Sequence, residues 1–276
     1  MANFINTVDV IGDAALVERL ITRNITEYAD DTITIIGESA FHGCQKLVQI
    51  NCPEVTSIGS YAFSGATASS DYKPCPITEV HFPKATAVGR NAFYGCESLM
   101  SISFPMLKNV DTEVFNGCKA LQELTPTMLP VVETLGEGVF RSCRALVTVK
   151  LPTLRTIASM TFIDCSALKT ADFSSLTSIG TSAFLRCGRL TALILRGQTR
   201  CSVQNNSLNN CYHLTGTTNS NYNPDGLKDG YIYVPAALVD SYKTASNWST
   251  YATQFRALED YTVDGTITGE LDESKI

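Results

Sequence analysis

The pattern Ile-Gly-x-x-Ala-Phe-x-x-Cys-x-x-Leu returns along this chain, with its ring at Phe41, Phe63, Phe93, Phe115, Phe140, Phe162 and Phe184. Four of the six gaps between these rings are 22 residues, and the other two are 30 and 25. A unit that short cannot bury its own apolar face, so it must stack on its neighbours and share one core with them. The 276 residues, which would otherwise allow two globular domains, are expected to form one elongated solenoid covered at both ends. The repetition also says where to look for function. Residues that recur serve the common core, and a binding surface has to come from positions that change between copies.

Each copy reads as two short extended pieces. The first is of the Leu-x-x-Ile-x-Phe type: Leu47–Cys52, Ile77–Phe82, Leu99–Phe104, Leu121–Pro126, Leu146–Leu151, Leu168–Phe173 and Leu190–Leu195. Its first, fourth and sixth positions point to the core, while the third and fifth point outward, as strand alternation requires. Pro53, Pro83, Pro105 and Pro152 follow where pairing can end without loss of a ladder bond. The second piece carries the Ile-Gly, whose glycine is expected to serve a tight corner or a positive φ. Ala-Phe then buries the ring, giving a stacked aromatic column. Parallel pairing at about 4.8 Å per rung makes some eight coils a mainly β stack roughly 35 to 40 Å long, bent into an arc.

The ends do not repeat. In residues 1–31, Leu16, Val17, Leu20 and Ile21 have amphipathic-helix spacing with Asp13 as N-cap, which predicts an N-terminal helical cap. The coils occupy 32–234. Residues 235–262 are read as a C-terminal helical cap, its second helical piece running from Asn247 to Leu258, with Trp248 plugging the core. Residues 263–276 form a polar, loosely ordered tail.

Ten cysteines would suggest a disulfide framework, but their positions argue otherwise. Cys44, Cys96, Cys118, Cys143, Cys165, Cys187 and Cys211 each precede a repeat Leu by three residues, and Ala66 takes that slot in the second copy. A slot that accepts Cys or Ala is small and buried, and a thiol there acts as a compact hydrophobe. Cys52, Cys75 and Cys201 lie outside this column and are expected to be the exposed thiols. None has CxxC or Cys/His zinc spacing, so no metal site is expected.

The net charge of -6 argues against a nucleic-acid or anionic-lipid partner, and no apolar run reaches the roughly 20 residues of a membrane span. Walker A, GxGxxG, GxSxG and HExxH patterns are absent, and His42, His81 and His213 lie far apart. No catalytic residue, cofactor or enzyme activity is therefore expected. What remains is the outward face of the first strands. The candidate binding residues are Gln49, Asn51, Glu79, His81, Ser101, Ser103, Glu123, Thr125, Thr148, Lys150, Thr170 and Asp172, which vary while the core slots hold nearly constant. The rhythm breaks at the insertion 67–76, whose Tyr72 is a candidate wall of that face, at 125–130, and at 196–230.

The units Ile36–Leu47, Val88–Leu99 and Ile179–Leu190 resemble the BspA-like, or treponemal-type, leucine-rich repeat family, over roughly residues 32 to 215. The closing segments 230–243 and 247–252 are similar to those of members from gut Firmicutes and their prophages. The resemblance implies a right-handed leucine-rich-repeat stack with no catalytic motif to carry over. It further implies an extracellular, cell-surface or phage-particle protein that binds a protein or glycan on a host or bacterial surface. Surface members carry a leader, whereas Met1-Ala-Asn-Phe-Ile-Asn lacks a basic segment followed by an apolar one. Two functions are therefore expected: an adhesion-type binding scaffold, or a structural or receptor-recognition part of a phage particle.

Overall fold

A computed structural model describes residues 10–11, 25–65, 75–260, 262–263 and 266–267. Two columns of short parallel strands run along it. The outer-face column consists of Glu27–Ala29, Gln49–Asn51, Glu79–His81, Ser101–Ser103, Glu123–Leu124, Thr148–Lys150, Thr170–Phe173, Ala192–Leu195, Tyr231–Val234 and Phe255–Ala257. The glycine-side column consists of Val10–Ile11, Ile35–Ile36, Ser57–Ile58, Ala87–Val88, Asn109–Val110, Thr134–Leu135, Thr156–Ile157, Ser178–Ile179 and Ser202–Val203. The chain is thus a parallel β-solenoid of about ten turns, where the sequence pattern suggested eight. The added turns lie at the ends. Val10–Ile11 pairs with Ile35–Ile36, Glu27–Ala29 with Gln49–Asn51, and Tyr231–Val234 with Phe255–Ala257. An end turn packs on one neighbour only, so its side chains need not repeat the pattern.

A third ladder lies on the turn that carries Ala-Phe. The N–H groups of Ser39, Phe41 and Gly43 donate to the carbonyls of Ser60, Ala62 and Ser64 in the next coil. The same three bonds recur at all seven interfaces, ending with Ser182, Phe184 and Arg186 on Asn205, Ser207 and Asn209, at 2.7–3.3 Å. Left-handed residues at the first and third of these donor positions flank the Phe. One set is Ser39, Tyr61, Asn91, Glu113, Gly138, Met160 and Ser182, with φ of 54 to 62°. The residue before each column Cys forms the other, from Gly43 through Gly117 to Arg186.

Of the two roles expected for the glycine of Ile-Gly, a tight corner or a positive φ, the second is not taken at Gly59, Gly89, Gly136 or Gly180. The glycine permits close approach of coils. A Cβ on Gly59 would lie 2.5 Å from Glu38 N, and one on Gly180 would lie 2.6 Å from the Ala158 carbonyl carbon. Gly59, Gly89, Gly136 and Gly180 make the bond to the preceding coil at 2.7–2.8 Å, whereas Ala158 in the same slot makes it at 3.2 Å.

The interior is continuous. The repeat rings stack face to face, 4.9 Å apart at Phe63–Phe93 and 5.7 Å at Phe140–Phe162. Beside them the column thiols from Cys96 to Cys211 each donate to the Phe carbonyl one coil back, as Cys165 does to Phe140 and Cys187 to Phe162, both at 3.1 Å. All ten cysteines are free and buried. This corrects the expectation for Cys52, Cys75 and Cys201. Cys75 enters the core after the insertion, donates to Leu47 O and meets the Cys96 thiol. Cys201 is covered by the C-terminal segment.

That segment is only partly helical. Ala236–Leu238 and Ser249–Gln254 are 3-10 turns and Val239–Thr244 is a short α-helix. The helical piece expected to reach Leu258 stops at Gln254, because Phe255–Ala257 extends along Tyr231–Val234 as a strand. Trp248 plugs the core end as expected, and Nε1 donates to Cys201 O at 2.7 Å. The Tyr242 hydroxyl accepts from Cys201 N and Asn247 Nδ2 donates to Val203 O, so cap side chains satisfy the edge of the last glycine-side strand. His213 ties down the degenerate repeat through Asp229 Oδ1 at 2.6 Å and Tyr222 O at 2.9 Å. The expected N-terminal helix around Leu16–Ile21 lies outside the described residues. In the tail, Thr262–Val263 and Thr266–Ile267 pair antiparallel.

Candidate outer-face recognition site

Parallel register places the candidate residues in two columns on one face. Glu79 stands opposite Ser101 and His81 opposite Ser103, while Thr148 and Lys150 face Thr170 and Asp172. Gln49, Asn51, Glu79, His81, Glu123, Thr148 and Lys150 are exposed, and Ser101, Ser103, Thr125 and Thr170 are half-buried. The two inserts that break the sequence rhythm also break this sheet, which is interrupted before Glu79–His81 and again between Ser101–Ser103 and Glu123–Leu124.

The second break opens a groove. After Leu124 the longer turn carries Thr125 away from the ladder, where its hydroxyl pairs with that of Thr127 at 2.9 Å. Met128 folds under, its carbonyl accepting from Phe104 N at 2.9 Å. The resulting space of about 560 Å³ is lined by Met100, Ser101, Gln122, Glu123, Met128, Val147 and Thr148. Three expected residues, Ser101, Glu123 and Thr148, thus share one concavity. Its apolar surface comes from Met100, 55% exposed, with Val147 and Met128. These were not foreseen, although an apolar residue in the second, solvent-facing slot of a strand is legible at Val48, Met100 and Val147. Glu123 is the one charged residue of the lining.

Towards the C-terminal end the face changes character. Asp172, expected to be free, is 8% exposed, and both its oxygens accept from Arg196. Ala192 and Ile194 are also buried, beside Tyr231 and Tyr233 in register. Arg256 lies 4.3 Å over the Tyr231 ring. Sequence reasoning missed this aromatic and arginine cluster, although the alternation in Tyr-Ile-Tyr-Val marks both rings as outward. Tyr72 lies outside the described residues.

The face carries little chemistry. His81 Nδ1 is 2.9 Å from Ser103 Oγ, on open strands, and Glu79 sits two residues along the same strand. Among the described residues no three His, Cys, Asp or Glu side chains stand together as metal ligands, and no helix is long and apolar enough to cross a membrane.

Stacked parallel coils with one shared core and a variable outer sheet define a leucine-rich-repeat solenoid. The family described as BspA type leucine rich repeat region matches residues 9–72, 68–128 and 123–223 in six copies, and the chain belongs to that family. It is similar to the leucine-rich repeat protein of Treponema pallidum, at 26% identity and a TM-score of 0.53 over 60% of this chain and 78% of that one. It is also similar to a leucine-rich cell surface protein of Faecalibacterium prausnitzii, at 21% identity and a TM-score of 0.42, covering 68% of this chain and 57% of that one. A leucine-rich repeat protein of Bacteroides ovatus matches at 18% identity and a TM-score of 0.39, covering 90% and 87%. No curated protein matches.

Proposed function

We propose that this chain is a non-enzymatic recognition scaffold of the adhesion type, holding a surface protein of a host or bacterial cell against its outer face. The groove at the lengthened coil carries this reading. It lies on a face whose residues vary, where the ladder opens, and it pairs adaptable methionine surface with a single carboxylate. Such a lining suits an apolar side chain of a protein flanked by a basic one better than a sugar ring. The family supports the same class of job.

The test is capture from mucosal and bacterial surface extracts, with the bound protein identified and remeasured in pure form. Ser101→Arg with Thr148→Arg should abolish binding, and Arg186→Ala on the turn side should leave it unchanged. Equal binding by all three proteins removes the groove from the reading. A glycan array run with the Glu79, His81 and Glu123 triple alanine variant tests whether a sugar uses the face instead.

A further inference from the structure

Among the described residues, the C-terminal end of the solenoid closes two of its three ladders and leaves the third open. Tyr231–Val234 and Phe255–Ala257 continue the outer-face sheet, and Tyr242, Trp248 and Asn247 satisfy the last glycine-side strand. The turn ladder ends differently. Asn205, Ser207 and Asn209 accept from the coil before, so the next donors in the series are the N–H groups of Asn206, Leu208 and Asn210. Asn206 and Asn210 have φ of 60° and 59°, the left-handed geometry of the matching donors in earlier coils. Among the described residues none of the three meets an acceptor. Beside them lies a pocket of about 300 Å³ between this turn and the cap. Its wall includes Gln204, Asn205, Asn209, Asn247 and Thr250 and holds no charged side chain.

We propose that this edge docks a polypeptide segment of a partner chain, which presents backbone carbonyls at alternate residues and so adds one more turn to the ladder. The seven interfaces inside the chain show what this donor set takes: three carbonyls spaced two residues apart. Side-chain amides suit a peptide backbone because each offers both a donor and an acceptor. An uncharged wall disfavours a carboxylate or phosphate as the main ligand. Main-chain pairing supplies affinity here as in strand addition to a sheet edge. The surface is separate from the outer-face groove, so loss of either leaves the other standing.

The experiment is panning of a displayed library of cyclic peptides against the full chain, followed by amide hydrogen exchange with and without the enriched peptide. The peptide is expected to slow exchange at Asn206, Leu208 and Asn210 by about tenfold or more. Its binding should be lost in Asn205→Trp and in Thr250→Trp, both at exposed positions. The exchange readout on the unaltered chain holds whether or not those variants fold. Three outcomes overturn the proposal: slow exchange of the three amides in the free chain, a library that yields no protecting peptide, or a glycan as the ligand lost in both variants.

Discussion

Arg196 grips Asp172 with two parallel bonds, Nε to Oδ1 at 2.7 Å and Nη2 to Oδ2 at 2.9 Å. The side chains are 18% and 11% exposed, so this fork is largely withdrawn from water. It fixes the boundary of the free outer face, because beyond it Ile194 and Ala192 are covered.

Removing one partner of such a pair strands the other charge. Asp172→Ala is expected to cost about 3 kcal/mol, and Asp172→Ala combined with Arg196→Met should recover most of that loss. Urea unfolding of the three proteins checks this, and a double variant no more stable than the single one contradicts it.

The buried thiols give the chain an alkaline limit. Burial holds Cys143 and Cys201 up at about 12 against an ordinary value of 9.0, and pushes Cys165 and Cys187 well above that value. The unfolded chain releases these protons near pH 9, while the folded chain keeps them. Stability is therefore fully present below pH 9 and falls between 9.0 and about 12, as the folded values require. Each buried thiol removes up to about 1.4 kcal/mol per pH unit in that window. Denaturation midpoints from about pH 7 to about pH 11 should stay level and then drop, with a shallower drop when Cys143, Cys165 and Cys187 are alanine.

Glycine acts in two different ways here, and substitutions separate them. At Gly180 an added Cβ meets backbone at 2.6 Å, which cannot swing aside, so Gly180→Ala should cost about 2 to 3 kcal/mol. At Gly138, φ is +62° and the nearest atom is the Glu113 Cγ at 3.2 Å, so Gly138→Ala should cost only about 1 kcal/mol. Met160 occupies the same left-handed slot at +58°, and Met160→Asn should stabilise by about 0.5 kcal/mol. Thermal melts of the three variants give the order directly.

The repeat and its core were legible because periodicity reports packing. Phe41 to Phe184 and the seven column cysteines mark every internal coil. Backbone-driven features were not legible. The turn ladder uses left-handed residues as different as Ser39, Tyr61, Glu113 and Met160, so no residue type announces it. The end strands Glu27–Ala29 and Phe255–Ala257 join the ladder in parallel register although their side chains do not follow the repeat. At the candidate site the outward columns were readable from alternation. The groove was not, since it depends on how the three extra residues after Leu124 displace Thr125 and place Met128.

The cap offers the sharpest separation of packing from hydrogen bonding. Trp248 is 1% exposed, packs edge-on against Tyr242 at 5.5 Å and Phe255 at 5.8 Å, and donates its single N–H to Cys201 O. Trp248→Phe keeps most of the apolar contact and leaves that carbonyl without its donor, which should cost about 1 to 2 kcal/mol. Trp248→Ala opens the end of the core as well and should cost about 3 to 5 kcal/mol. Hydrogen exchange locates the damage. In Trp248→Phe the loss should be confined to residues around Cys201–Val203, because each coil contacts only its neighbours. In Trp248→Ala it should spread back through the last coils. Equal, chain-wide loss of protection in both variants would mean that the solenoid unfolds as one unit and that the cap bond has no local role.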